Sequence, residues 1–157
     1  MALENDLGLN KPIKSSVHRA LLNIYYTASC LKKFADVFFK PFGLTDVQFN
    51  VMMLLGYQSG TQGGLSQAQL SDMMLVNRAN ITTLIDRMEK ADLVVRTAAA
   101  KDRRYNIVKM TPKGKKLFAK VEPLYEKQVK KIMTPLKQTD HTRLAEVLSK
   151  IRSRLLR

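Results

Sequence analysis

The chain has 157 residues, 45% hydrophobic and 25% charged, with 27 Lys and Arg against 13 Asp and Glu and a net charge of +14. That balance is one ordinary globular domain with a genuine core rather than a disordered polyelectrolyte, and nothing in it demands a second independent domain. The excess positive charge points to a polyanionic partner, and a membrane surface is disfavoured because no apolar run approaches the ~20 residues of a spanning helix.

The opening MALENDLGLNKP lacks the features of a signal peptide, and the lone Cys30 cannot form an internal disulfide, so a cytoplasmic, reducing location is expected. From about Lys14 to Lys40, apolar groups at Val17, Leu21, Ile24, Ala28, Leu31, Phe34, Ala35 and Phe38 recur at helical spacing. Ser15 or Ser16 opens this long amphipathic helix. Cys30, in its middle, reads as inert packing. Pro41, Phe42 and Gly43 break the pattern. Thr45 then caps a helix carrying Val47, Phe49, Met52, Met53 and Leu55, and Gly56, Gly60, Gly63 and Gly64 mark the following loop.

Residues 65 to 111 are the most informative stretch. Ser66, with Gln69 three residues later, forms a capping box for a short helix over about Gln67 to Met74. Leu70, Met73 and Met74 give that helix an apolar face, and Ser71 and Asp72 are expected in water. Asn77 caps a second helix built on Ile81, Leu84, Ile85 and Met88. Helices joined by so short a turn cross steeply. The polar face of the second helix carries Asn77, Arg78, Asn80, Thr82, Thr83 and Arg87, residue types that hydrogen-bond base edges and phosphates.

A hairpin follows, with strands around Leu93, Val94 and Val95 and around Tyr105, Ile107 and Val108, and a tip of TAAAKDRR. Lys101, Arg103 and Arg104 on that tip suit the negative minor groove. Asp102 would repel a phosphate but can orient Arg104 through a paired hydrogen bond. Two helices and a basic hairpin in this order make a winged helix-turn-helix, a DNA-reading device, with Ser66 and Gln67 placed to hold phosphate. The expected fold class is therefore mostly α with a small β-hairpin wing.

Past the wing, Pro112 suits a first helical residue, and Leu117, Phe118, Val121 and Leu124 continue an apolar stripe that Pro123 should kink. Thr139 or Asp140 caps a final helix bearing Leu144, Val147, Leu148, Ile151 and Leu155. Both ends thus offer apolar helix faces beyond what a small reading head can cover. One reading head touches too short a site for useful specificity, so a homodimer on a two-fold DNA site is expected, with about 14–40 and 112–157 as dimerisation helices flanking the reader at about 45–111. The only histidines, His18 and His141, lie in no metal or nucleophile motif, and no glycine loop cradles phosphate, so neither an enzyme nor a cofactor is expected. The rival class is a general basic nucleic-acid-binding protein, architectural or RNA-binding, without operator specificity. Against it, Tyr105 is the only aromatic residue in the basic region available for base stacking.

The run LSQAQLSDMMLVNRANITTLIDRMEKADLVVR, the DRR of the wing and the TPKGKKLF after it resemble the multiple antibiotic resistance regulator (MarR) family of bacterial transcription factors. The resemblance implies one domain over 1–157, a homodimer on a pseudo-palindromic double-stranded operator, a recognition helix at about Asn77 to Ala91 and wing arginines at Arg103 and Arg104. A repressor is favoured over an activator. The family also implies a phenolic or aromatic effector, for which Tyr25, Tyr26, Phe34 and Phe49 are the lining candidates, with Phe38, Phe39 and Tyr57 nearby in sequence. Its peroxide-sensing branch carries a cysteine near the start of the first helix, which the position of Cys30 does not match. Ahead of the DRR this chain has Ala98, Ala99 and Ala100 where charged residues are usual. Their origin is open from sequence; as native residues they lower the wing's affinity for phosphate.

Overall fold

A computed structural model describes residues 3–74, 78–98 and 105–156. The helices are α1 (Leu3–Asp6), α2 (Ser16–Phe39), α3 (Asp46–Tyr57), α4 (Gln67–Met74), α5 (Arg78–Lys90), α6 (Pro112–Met133) and α7 (Gln138–Leu155), with strands β1 (Leu65–Ser66), β2 (Val94–Ala98) and β3 (Asn106–Met110). The chain divides into two compact units, Met1–Lys115 and Lys116–Arg157.

In the first unit, local chemistry sets most boundaries. The Ser15 hydroxyl accepts from the His18 amide at 3.2 Å and starts α2. Thr45 and Gln48 close a reciprocal capping box on α3, at 3.2 and 2.9 Å. Phe39 and Phe49, fully buried, pack with ring centroids 4.7 Å apart and join the end of α2 to α3. Lys32 reinforces that junction by donating to both Asp36 and Asp46 at 3.0 Å. Ahead of α2, the Glu4 carboxylate accepts from the Ile13 amide at 3.0 Å and pairs with Arg19 at 3.1 Å, which docks the N-terminal segment, including the unanticipated α1.

The sheet has the order β1-β3-β2, antiparallel throughout. Leu65 stands opposite Val108, and Val94 opposite Met110 through Ala98 opposite Asn106. A two-residue strand such as β1 has no periodicity to read in advance. The strands also begin later than expected. Leu93 donates its amide to Met88 at the end of α5, so it is unavailable to the ladder, and Tyr105 lies exposed on a bend. Thr97 and Ala98, expected in the tip, instead extend β2. Ile107 and Val108 are both buried, against strict alternation, because β3 is the central strand and both α3 and α4 contact it.

Two further readings need correction. Ser71 is buried while Met73 is 47% exposed, because α3, α5, β1 and β3 all contact the short α4 and cover more than one stripe. The cap of α7 is Lys137, whose amide donates to Asp140 at 3.1 Å; neither Thr139 nor Asp140 occupies that position.

α6 continues as helix through Pro123 to Met133. Leu124, Val129, Ile132, Leu144, Val147, Ile151 and Leu155 are all exposed. No helix among the described residues is long and apolar enough to cross a membrane.

Candidate nucleic-acid interface

The site begins at the start of α4. Ser66 accepts from the Gln69 amide at 3.1 Å, and Gln69 accepts from the Ser66 amide at 2.9 Å, the reciprocal box that the sequence anticipates. Gln67 follows on the first turn. Its amide nitrogen donates to the Thr82 hydroxyl of α5 at 2.9 Å, so two expected DNA contacts are joined to each other.

Along α5, Ile81, Ile85 and Met88 are fully buried and fix which face turns outward. The polar residues then fall on two flanks. Asn80, Thr83 and Arg87, at i, i+3 and i+7, are exposed, and Thr83 back-bonds to the Ala79 carbonyl at 3.2 Å. Thr82, Asp86 and Glu89 form the other flank, which Arg96 of β2 engages. Its Nε donates to the Gln67 carbonyl oxygen at 2.8 Å, one Nη donates to Glu89, and the other donates to Asp86 at 2.7 Å and to the Thr82 carbonyl at 3.5 Å. The Arg96 backbone amide also donates to Glu89, at 2.8 Å. One guanidinium therefore ties α4, α5 and the wing strand together.

Sequence reasoning did not single out Arg96, Asp86 or Glu89. The available signal was the pair of carboxylates at i and i+3 on a helix otherwise suited to DNA, which asks for a cation nearby. Arg78 opens α5, but its side chain lies outside the described part. Asn77, Lys101, Asp102, Arg103 and Arg104 likewise fall outside the described residues.

The junctions on either side of the hairpin are built from backbone. Asp92 takes a positive φ of 56° where α5 ends, with its amide on the Glu89 carbonyl at 2.8 Å and the Leu93 amide on Met88 at 2.9 Å. This is a Schellman stop with an Asp at the left-handed position. After β3, the Thr111 hydroxyl donates to the Asp92 carbonyl at 2.6 Å and accepts from the Gly114 amide at 3.0 Å, so it caps α6. A side chain at Gly114 would place its Cβ 2.0 Å from the Leu93 carbonyl oxygen. The T-P-K-G sequence is thus a cap, a first-turn proline and a close approach of α6 to the base of the wing.

The aromatic candidates divide. Phe34 stacks on Phe38, whose edge meets Phe39, which in turn contacts Phe49. Tyr25 is 66% exposed. Tyr26 donates to the Asp6 carbonyl at 3.2 Å, and the nearby Cys30 thiol, with burial adding to it, pushes the phenol above its ordinary value.

Known proteins resemble both sequence and fold. A sequence model of the MarR family matches residues 42–104. The uncharacterized HTH-type transcriptional regulator YfiV of Bacillus subtilis is 31% identical over 126 residues, covering 80% of this chain and 74% of that protein. AbsC, a MarR family transcriptional regulator from Streptomyces coelicolor, superposes with a TM-score of 0.80 at 22% identity, over 92% of this chain and 98% of that one. The S. aureus MepR protein, solved as a complex with DNA, superposes with a TM-score of 0.79 at 19% identity, over 90% of this chain and 99% of that one. With its sheet, its helix pair and this sequence likeness, the chain belongs to the MarR family of DNA-binding transcriptional regulators.

Proposed function

We propose that the protein is a homodimeric repressor that occupies a pseudo-palindromic operator through α5 and the wing. The observation that carries this reading is the exposed flank of Asn80, Thr83 and Arg87 on a helix whose other sides are fixed. Asn and Arg offer the bidentate patterns that read adenine and guanine edges, and Thr contacts a thymine methyl. Arg78 and Asn77 add contacts at the N-terminal end of the helix, where its dipole favours phosphate. Ser66 and Gln67 lie beside the phosphate backbone. Lys101, Arg103 and Arg104 serve the flanking minor groove, with Asp102 orienting Arg104.

Dimer formation is supported by apolar groups left in water. Val17, Leu21, Tyr25, Leu31 and Val37 are exposed on α2, as are Leu144, Val147, Ile151 and Leu155 on α7. Two-fold pairing would set two recognition helices about one DNA turn apart. In the same reading, an aromatic or phenolic ligand relieves repression, with Tyr25, Tyr26, Phe34 and Phe49 as the residues proposed to line its site. Stabilisation against heat by one of a panel of aromatic carboxylates is the expected result, and none stabilising would remove the effector from the proposal.

Footprinting on the DNA upstream of the protein's own coding region tests the operator reading. Two protected patches one helical turn apart are expected, and uniform protection would contradict it. Arg104→Ala is expected to weaken operator binding by about 1–3 kcal/mol, the scale of one specific contact. An unchanged dissociation constant at matched salt would show that the wing takes no part.

A further inference from the structure

We propose that Arg96 is a positioning residue for sequence readout, which sets the attitude of α5 without touching DNA. The proposal rests on the operator reading above and concerns how the reading head keeps its geometry. Arg96 is on β2, at the base of the wing, where a cation near a DNA-binding surface would ordinarily be counted as a phosphate contact. Its guanidinium is committed elsewhere. Three directions of its fork are taken by Gln67, Glu89 and Asp86, and its side chain is only 21% exposed. The two carboxylates outweigh its single charge, so this cluster attracts no phosphate.

The arrangement does have a geometric consequence. Gln67 is on α4, Asp86 and Glu89 are on α5, and Arg96 belongs to the sheet, so one planar group fixes three elements that are separate along the chain. Gln67 in turn holds Thr82, on the side of α5 next to the exposed reading flank. A lysine at position 96 would keep the charge, but its single ammonium could not reproduce the fixed fork. Readout needs the helix placed to within a fraction of an ångström, whereas contacts to phosphate in random sequence tolerate looser placement. Specific and non-specific binding should therefore separate when the fork is lost.

The test uses the full-length protein and a site selected by it from random double-stranded DNA, with a scrambled duplex as the reference and a salt series for both. Variants are compared below the onset of their thermal unfolding. For Arg96→Lys, operator preference is expected to fall about tenfold or more, while scrambled-DNA affinity and its salt dependence stay within about twofold, as the net charge is unchanged. Asp86→Asn supplies a second, surface variant, since Asp86 is half exposed. Plain electrostatics predicts that removing this carboxylate raises both affinities together; positioning predicts that scrambled-DNA affinity holds or rises while operator preference falls.

Full operator preference in both variants would overturn the proposal. So would an equal loss of affinity on both duplexes in Arg96→Lys, the pattern of a direct phosphate contact rather than of a positioning role. A wild-type protein that selects no sequence at all would overturn the operator reading itself, and this is recognised before any variant is made.

Discussion

At the scale of single residues, the backbone stops around the hairpin carry clear consequences. Asp92 holds a left-handed conformation that L-residues, Asp and Asn less than most, adopt at a steric cost and glycine adopts freely. Asp92→Gly keeps the carbonyl that accepts from Thr111 and removes that cost, so a gain of about 1 kcal/mol is expected; denaturant titration would show the midpoint moving up. Gly114→Ala should do the reverse. Its methyl would meet the Leu93 carbonyl oxygen at 2.0 Å, and that carbonyl is itself held by the Thr111 amide at 3.1 Å, beside the Thr111 cap of α6. A loss of about 2 kcal/mol or more is expected from such overpacking, and a variant that melts with the parent would contradict it. These roles were only partly legible in sequence. Pro112 announced a helix start, but the role of Gly114 left no local signal, because it comes from a carbonyl 21 positions earlier.

At the scale of elements, signals between near neighbours were readable and signals between distant ones were not. The Ser66–Gln69 capping box and the Thr45 cap were visible in the sequence and are present as hydrogen bonds, whereas the reciprocal bond from Gln48 back to Thr45 was not anticipated. Beyond that range, β1 was invisible because two residues pair with a strand more than 40 positions away. Ser71 was misjudged because its burial comes from neighbours of α4, not from its own helix. The clamp at Arg96 went unseen for the same reason, with Gln67 lying 29 residues away. The wing-tip candidates Lys101 to Arg104 lie outside the described residues.

The N-terminal segment adds a pH dependence at this scale. Hydrogen bonds from the Ile13 amide first and from the Glu4 backbone next, with the Arg19 charge adding to them, hold the Glu4 carboxyl below its ordinary value against an opposing desolvation. A depressed carboxylate pKa stabilises the docked form above the unfolded value, and that contribution is lost as pH falls through the folded value. Hydrogen-exchange protection of the Ile13 amide should therefore disappear on acidification through and below the ordinary carboxylate range. Glu4→Gln should remove this acid sensitivity, and an unchanged pH profile would contradict the assignment.

For the whole molecule, charge and exposed apolar surface set the expectations. A net charge of +14 draws any nucleic acid electrostatically, so affinity alone cannot distinguish a regulator from a coating protein. The apolar stripe of α7 supplies the second expectation. Leu144→Glu with Ile151→Glu should turn a dimer into monomers in sedimentation while leaving the helix content intact; a persistent dimer would place the interface elsewhere. Composition indicated the kind of partner, and the helix periodicity indicated unpartnered faces. What neither could indicate is which bases are read, since that depends on the angles between elements.

The most direct measurement is the ratio of dissociation constants for the DNA upstream of the protein's own coding region and for scrambled DNA of equal length, taken over a salt series. Both constants should weaken with salt through counterion release while the ratio stays at roughly a thousandfold or more in favour of the native fragment. A ratio near one at every salt concentration, upheld with sites selected from random DNA, would contradict a sequence-specific regulator and leave a general nucleic-acid-binding protein in its place.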